Sequence, residues 1–186
     1  MKVVQPIRDT RKLQVIKEHL QQTNERDYIL LMVGINTGLR ISDILPLRVG
    51  DVRGTHIDII EKKTGKRKLI KINRALRAAL DHYIVGKSDN AYLFRSRNRK
   101  LRTGARDEPI TASMAYKMLS GVAQAFGVKE IGTHSMRKTF GYHFYQRERD
   151  ISLLMDLFNH SEESVTLRYI GIKQDTLDEA IDRHSL

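Results

Sequence analysis

The sequence predicts a mainly helical domain with one small antiparallel β-sheet, an α+β protein whose core is built largely by helices. Three observations support this. Most segments place apolar residues at three- and four-residue spacing behind a Ser, Thr, Asp or Asn. Only one pair of runs alternates as strands do: HIDIIE at 56–61 and KRKLIKI at 66–72. The 186 residues are 40% hydrophobic and 30% charged, which supports one folded domain and argues against a disordered chain.

The elements follow in order. Residues 9–22 carry Leu13, Ile16 and Leu20 at helical spacing, with Asp9 or Thr10 as cap. Asn24 can cap a second helix, ERDYILLMVGINT, which Gly38 ends. That helix is apolar on most sides and is expected in the core. Ser42 is expected to cap a short helix that Pro46 limits. The strand pair at 56–72 makes a hairpin with a basic tip and a basic face. Asn73 caps a helix over 74–85, and a basic, loop-rich stretch spans 86–110. Thr111 caps a helix that Gly127 closes, and residues 133–149 are helical after Thr133 or Ser135. Two short helices, 152–158 and 161–169, meet at His160. The acidic tail that follows is amphipathic, with Leu177 and Ile181 on one side. Tyr28, Tyr83 and Tyr116 fall at apolar helix positions and are expected in the core.

Composition narrows the function. With no cysteine, disulfides and thiolate metal sites are excluded. No apolar run approaches the roughly 18 residues of a membrane span, and MKVVQPIRDTRK lacks the apolar centre of a signal peptide. No membrane role and a cytoplasmic location are expected. The net charge of +11 calls for a polyanionic partner. The basic run RSRNRKLR at 95–102 has almost no apolar content, unlike a membrane-surface helix, so nucleic acid is the expected partner. Arg95, Arg97, Arg99, Lys100 and Arg102 in that run, with Lys62 and Lys66 at the hairpin tip, are the expected contacts.

One set of residues suits phosphodiester chemistry. Cleavage without a metal needs an in-line nucleophile, donors on the non-bridging oxygens and an acid for the leaving oxygen. Arg40 follows Gly38 just past the buried helix, where a guanidinium fork can be held rigidly against a phosphate. His134 and Arg137 are three apart on one helical face. They are not read as metal ligands, and His82, His143 and His184 lack the paired spacing that zinc wants. Lys63, at the hairpin tip, can donate a proton on a flexible stem, with Lys62 and Lys66 as rivals. Tyr169, nine positions after His160, offers a phenolic nucleophile, and a ring of cations is expected to favour its phenolate. Tyr142 and Tyr145 are expected to pack behind the His-x-x-Arg pair.

Four stretches in order carry a resemblance: TGLRISDILPLRVGDV, EKKTGKRKLIKI, THSMRKTFG and LFNHSEESVTLRYIG, spanning 37–171. Arg40 to Lys63 and Arg137 to His160 are each 23 positions. This pattern resembles the catalytic domain of the tyrosine recombinases, the phage integrase family. The resemblance implies that family's mostly helical fold, with catalytic residues Arg40, Lys63, His134, Arg137, His160 and Tyr169. It implies site-specific cleavage and rejoining of double-stranded DNA through a 3′-phosphotyrosyl bond made by Tyr169. Lys63 would protonate the leaving 5′ oxygen, Arg40, Arg137 and His160 would stabilise the developing charge, and His134 would assist proton transfer. Asp43 would brace the Arg40 region. No metal or nucleotide cofactor is implied. A homotetramer that exchanges C-terminal tails on DNA is implied; a topoisomerase IB-like enzyme or a non-catalytic DNA-binding or regulatory module are the alternatives. The first motif begins at residue 37, so the family's usual N-terminal clamp domain is expected to be absent. Residues 1–186 would form one catalytic domain with a tail at 172–186, and the start at Met1 favours a short stand-alone type over an excised domain.

Overall fold

The computed structural model describes residues 4–96, 108–172, 178 and 181–184. Among these, eight α-helices surround a two-stranded sheet. Helix α1 (Thr10–Thr23) begins where Asp9 accepts hydrogen bonds from the Arg11 and Lys12 amides. Helix α2 (Glu25–Thr37) is capped by Asn24 and ended by Gly38 in the left-handed region, φ 64°. Its consecutive residues Ile29 to Val33 are all buried, as the all-round apolar pattern requires.

Helix α3 (Ile41–Ile44) starts two residues earlier than a Ser42 cap would place it. Arg40, in extended backbone, is its N-cap and makes no side-chain cap bond. Gly38 has already turned the chain out of α2, so Ser42 lies inside the helix and its hydroxyl contacts Asp43 (3.4 Å).

Strands β1 (His56–Ile60) and β2 (Arg67–Lys71) pair antiparallel, with Ile57 opposite Ile70 and Ile59 opposite Lys68. Alternation puts Ile57, Ile59, Lys68 and Ile70 on the inner face. The outer face is mixed rather than basic. It carries His56, Asp58, Ile60, Arg67, Leu69 and Lys71, and Asp58 is ion-paired with Arg67.

Helices α4 (Arg74–Tyr83) and α5 (Ala112–Ala125) start at the expected caps, Asn73 and Thr111. Tyr83 is buried and Tyr28 partly so, but Tyr116 is 50% exposed. The inward row of α5 is Ala115, Leu119 and Ala123, and Tyr116 lies one residue round from it.

Helix α6 (Thr133–Glu148) begins after Gly132, whose amide donates to the Ser135 hydroxyl (3.1 Å). Helix α7 (Ile151–Phe158) is capped by Asp150, and Asn159, at φ 51°, turns the chain toward α8 (Glu163–Ile170).

The core has two parts. The larger joins α1, α2, α4, α5 and the inner sheet face. The smaller gathers Leu154, Phe158, Ile170 and Ile172, with Phe140, Tyr142, Tyr145 and Tyr169 packed against it. Helix α6 serves both. It meets α2 where Gly34 faces Met136, and it meets α7 and α8 where Gly141 faces Phe158 and Ile170.

Candidate active site

Arg137 projects from α6 between the two cores and is only 3% exposed. Its Nη1 donates to the Gly38 carbonyl oxygen (2.5 Å) and its Nη2 to that of Phe158 (3.0 Å). These oxygens stand at the C-terminal ends of α2 and α7, where a cation is favoured. The guanidinium also lies 4.1 Å from the centre of the Phe158 ring. Every one of these interactions limits its movement, so the group is held before any substrate arrives.

Tyr169, near the end of α8, packs edge-on against Phe158 and His160, each at 5.6 Å between ring centres. The Lys138 ammonium sits 5.1 Å from its ring centre. Burial raises the phenol above its usual pKa, although Arg137 and Arg40 both pull it down. The expected phenolate is therefore not the resting form: desolvation outweighs the cations, and Tyr169 keeps its proton.

His160 lies in the turn between α7 and α8, with Nδ1 3.0 Å from the Thr166 hydroxyl. That hydroxyl donates to the Glu162 carbonyl oxygen (3.1 Å), which assigns the ring proton to Nδ1 and leaves Nε2 as an acceptor while the ring is neutral. Burial, then the charges of Arg137, Arg40, Lys63 and Lys68, hold His160 below the usual histidine range. His134, in the first turn of α6, is exposed. It is lowered in the same way, first by partial desolvation, then by Arg137, Lys138, Arg40 and Lys63.

Arg40 is half-buried, and its Nη1 donates to Glu61 Oε1 (2.7 Å). Lys63 sits exposed in the turn between the strands, within electrostatic reach of both His134 and His160. Asp43 Oδ1 accepts from the Lys62 amide (2.9 Å), so this carboxylate braces the start of the turn. The six residues of the predicted set thus come from α3's cap, the hairpin turn, α6, the α7–α8 turn and α8; Arg40, Lys63 and Arg137 act electrostatically on both histidines, and Arg40 and Arg137 on Tyr169. Among the described residues, no group of three or more His, Asp or Glu is arranged to hold a metal ion.

The residues expected to meet nucleic acid divide. Lys62 and Lys66 are exposed beside Lys63. Arg95 is exposed where 95 pairs with Pro109. Arg97, Arg99, Lys100 and Arg102 lie outside the described residues.

Three charged residues were not foreseen. Glu61 is fully buried; its Oε2 accepts from Thr64 Oγ1 (2.8 Å) and Asn159 Nδ2 (2.6 Å). Lys68 is buried beside it (3.5 Å) and also donates to the Leu157 carbonyl oxygen. Lys138 is buried under Tyr169. For Glu61 and Lys68 the signal was present: both continue the inward row marked by Ile57, Ile59, Ile70 and Ile72.

The phage integrase family profile matches residues 9–175, and the chain belongs to that family. It is 48% identical over 178 residues to the probable integrase/recombinase YoeC of Bacillus subtilis, covering 95% of this chain and 94% of that one. A crystal structure of XerA recombinase shares the fold with a TM-score of 0.73 at 20% identity, over 98% of this chain and 65% of that chain. So does XerH site-specific recombinase bound to difH substrate in a pre-cleavage complex, with a TM-score of 0.70 at 18% identity, over 97% of this chain and 55% of that chain. The chain thus spans nearly all of YoeC but roughly half to two-thirds of the two solved recombinases.

Proposed function

We propose that this chain is the catalytic unit of a site-specific DNA recombinase that cleaves and rejoins strands through a 3′-phosphotyrosyl intermediate. One observation carries the reading: Arg137 and Arg40 act on the phenol of a tyrosine that packs against His160, and Lys63 lies within electrostatic reach of that histidine. A pure binding module has no use for a phenol held in that way. Kinship with YoeC and the recombinases supports the same reading.

In the forward step the Tyr169 oxygen bonds to the scissile phosphorus and the phosphorus–5′-oxygen bond breaks. The phenol's proton passes to His134, which burial first and the surrounding cations second keep neutral and able to accept it. The departing 5′ oxygen takes a proton from Lys63. Arg40 and Arg137 meet the charge that grows on the non-bridging oxygens. A phosphate anion beside His160 favours its protonated ring, whose Nε2 then donates as well. Rejoining is the reverse, with a 5′ hydroxyl as nucleophile. The phosphotyrosyl bond conserves the bond energy, so the scheme needs no cofactor.

The partner is double-stranded DNA, contacted by Lys62, Lys66 and Arg95 and by Arg97, Arg99, Lys100 and Arg102, and the site of action is the cytoplasm. Four copies act together, each lending its tail at 172–186 to a neighbour. The tail's amphipathic pattern supports this, as does Ile181, an apolar residue left 69% exposed. A groove of about 580 Å³ between the hairpin and α6 suits such a tail: Leu69, Phe140 and Phe144 line it, and Lys71 and Arg147 offer cations to the acidic side.

The test uses a pool of nicked duplexes of randomised sequence, run on a denaturing gel after incubation. Wild-type protein should form a covalent adduct, and Tyr169→Phe should bind the pool but form none. Retention without any adduct would leave a DNA-binding module. An adduct persisting in Tyr169→Phe would move the nucleophile to another residue.

A further inference from the structure

We propose that Glu61 is a positioning residue: one buried carboxylate that sets Arg40, the Lys63 turn and the His160 turn in a single arrangement. The inference rests on the proposed strand-transfer reading and adds a residue to it. Glu61 closes the inner face of the hairpin one position after β1, with no exposed surface. Its two oxygens serve different partners. Oε1 takes the cations, Arg40 Nη1 at 2.7 Å and Lys68 Nζ at 3.5 Å. Oε2 takes neutral donors, Thr64 Oγ1 at 2.8 Å and Asn159 Nδ2 at 2.6 Å.

Each partner neighbours a piece of the machinery. Arg40 belongs to it. Thr64 follows Lys63 in the turn, and Asn159 precedes His160. Asn159 is held in the left-handed region, so its side-chain bond to Glu61 fixes the direction in which the chain reaches His160. Lys68 carries the tie onward to the end of α7 through the Leu157 carbonyl oxygen. Three segments distant in sequence, the Arg40 turn, the hairpin and the α7–α8 turn, therefore meet at one carboxyl group.

The charge on that group matters. Burial pushes the Glu61 carboxyl up, but Thr64, Lys68, Arg40 and Asn159 together outweigh burial and leave it below the usual range. It stays ionised at neutral pH. The pair with Arg40 uses Nη1, and the Nη2 and Nε edge of the fork has no partner among the described residues. Glu61 can thus fix the plane of the guanidinium while the other edge takes a phosphate.

The test compares variants on a duplex captured covalently by wild-type protein from the randomised pool. The duplex is made with an ordinary phosphate or with sulfur as the 5′-bridging atom, which leaves without needing an acid. Glu61→Gln keeps the size but loses the charge that holds Arg40. It should cleave ordinary DNA about 100-fold more slowly at unchanged affinity, and sulfur should restore it only in part. Thr64→Val, at an exposed position, loses the tie from Glu61 to the Lys63 turn and, within that same turn, the longer bond from the Lys66 amide (3.3 Å). It should be slowed about tenfold on ordinary DNA and be restored by sulfur, as Lys63→Ala should be. A wild-type rate for Glu61→Gln, or a Thr64→Val defect that sulfur leaves in place while it rescues Lys63→Ala, overturns the inference. Failure of sulfur to rescue Lys63→Ala overturns the Lys63 assignment instead. Should wild-type protein form no adduct, the strand-transfer reading fails, and side-chain NMR still decides the positioning claim. Arg40 guanidinium and His160 ring signals should both change in Glu61→Gln, and unchanged signals reject it. Should Glu61→Gln not fold, Thr64→Val carries the same comparison.

Discussion

Tyr169 and the two histidines owe their ionisation to a contest between burial and charge. For the phenol, burial raises the pKa and the guanidiniums lower it, and burial wins. For His134 and His160, burial and the nearby cations act in the same direction, both against the charged ring. A difference titration of wild-type protein against Tyr169→Phe without DNA should therefore show a phenol ionising above the ordinary value near 10. A midpoint below it would mean that the cations dominate. The histidines have a stability consequence. Their folded pKa values lie below the ordinary 6.5, so just under that pH the unfolded chain binds more protons than the folded one. Their contribution is complete above 6.5 and is lost as the pH falls through the folded values. The melting temperature of wild-type protein should drop between about pH 7 and pH 5, and that of His160→Asn should drop less. Parallel curves for the two proteins would remove His160 from the account.

At the scale of elements, α6 controls how closely the nucleophile's helix approaches the arginines. A Cβ at Gly141 would come within 2.7 Å of Ile170 Cγ2 and 2.8 Å of Phe158 Cε2. Ile170 adjoins Tyr169, so Gly141→Ala must push α7 and α8 outward or strain them. The expected cost is about 1–3 kcal/mol in denaturant unfolding, with cleavage slowed in the folded protein and DNA affinity kept. Gly121 on α5 is the control. Nothing lies within 4 Å of a Cβ there, and Gly121→Ala should be neutral or stabilise by up to about 1 kcal/mol. Full cleavage activity in folded Gly141→Ala would show that the α6–α8 spacing does not set the nucleophile.

At the scale of the whole molecule, the net charge of +11 acts on any polyanion before specific hydrogen bonds form. Lys62 and Lys66 put part of that charge at the hairpin tip, beside the candidate site. The run at 95–102 holds another part, and Arg26 donates to the Arg95 carbonyl oxygen at its start (3.2 Å). Arg97→Glu combined with Arg99→Glu should weaken binding to unrelated duplexes about equally. The slope of log affinity on log salt should become shallower by roughly 0.9 for each phosphate that is no longer neutralised. An unchanged slope would make the run a solvated loop with no part in binding.

Much of this molecule is determined by the sequence read locally. Caps at Asp9, Asn24, Asn73 and Thr111 and the stop at Gly38 depend on neighbours a few residues away, and all five were legible. The candidate set of Arg40, Lys63, His134, Arg137, His160 and Tyr169 could be nominated from motif order and spacing, which are linear properties. Alternation along the hairpin already marked Glu61 and Lys68 as inward-facing; what they would meet there was not marked. Tertiary structure alone decided that Glu61 joins Arg40, Thr64 and Asn159, that Arg137 spans the ends of α2 and α7, and that Tyr116 faces outward. It also reversed the expected state of Tyr169. Charge can be counted along a chain, but desolvation depends on what packs around a group, and that exists only once distant segments have met.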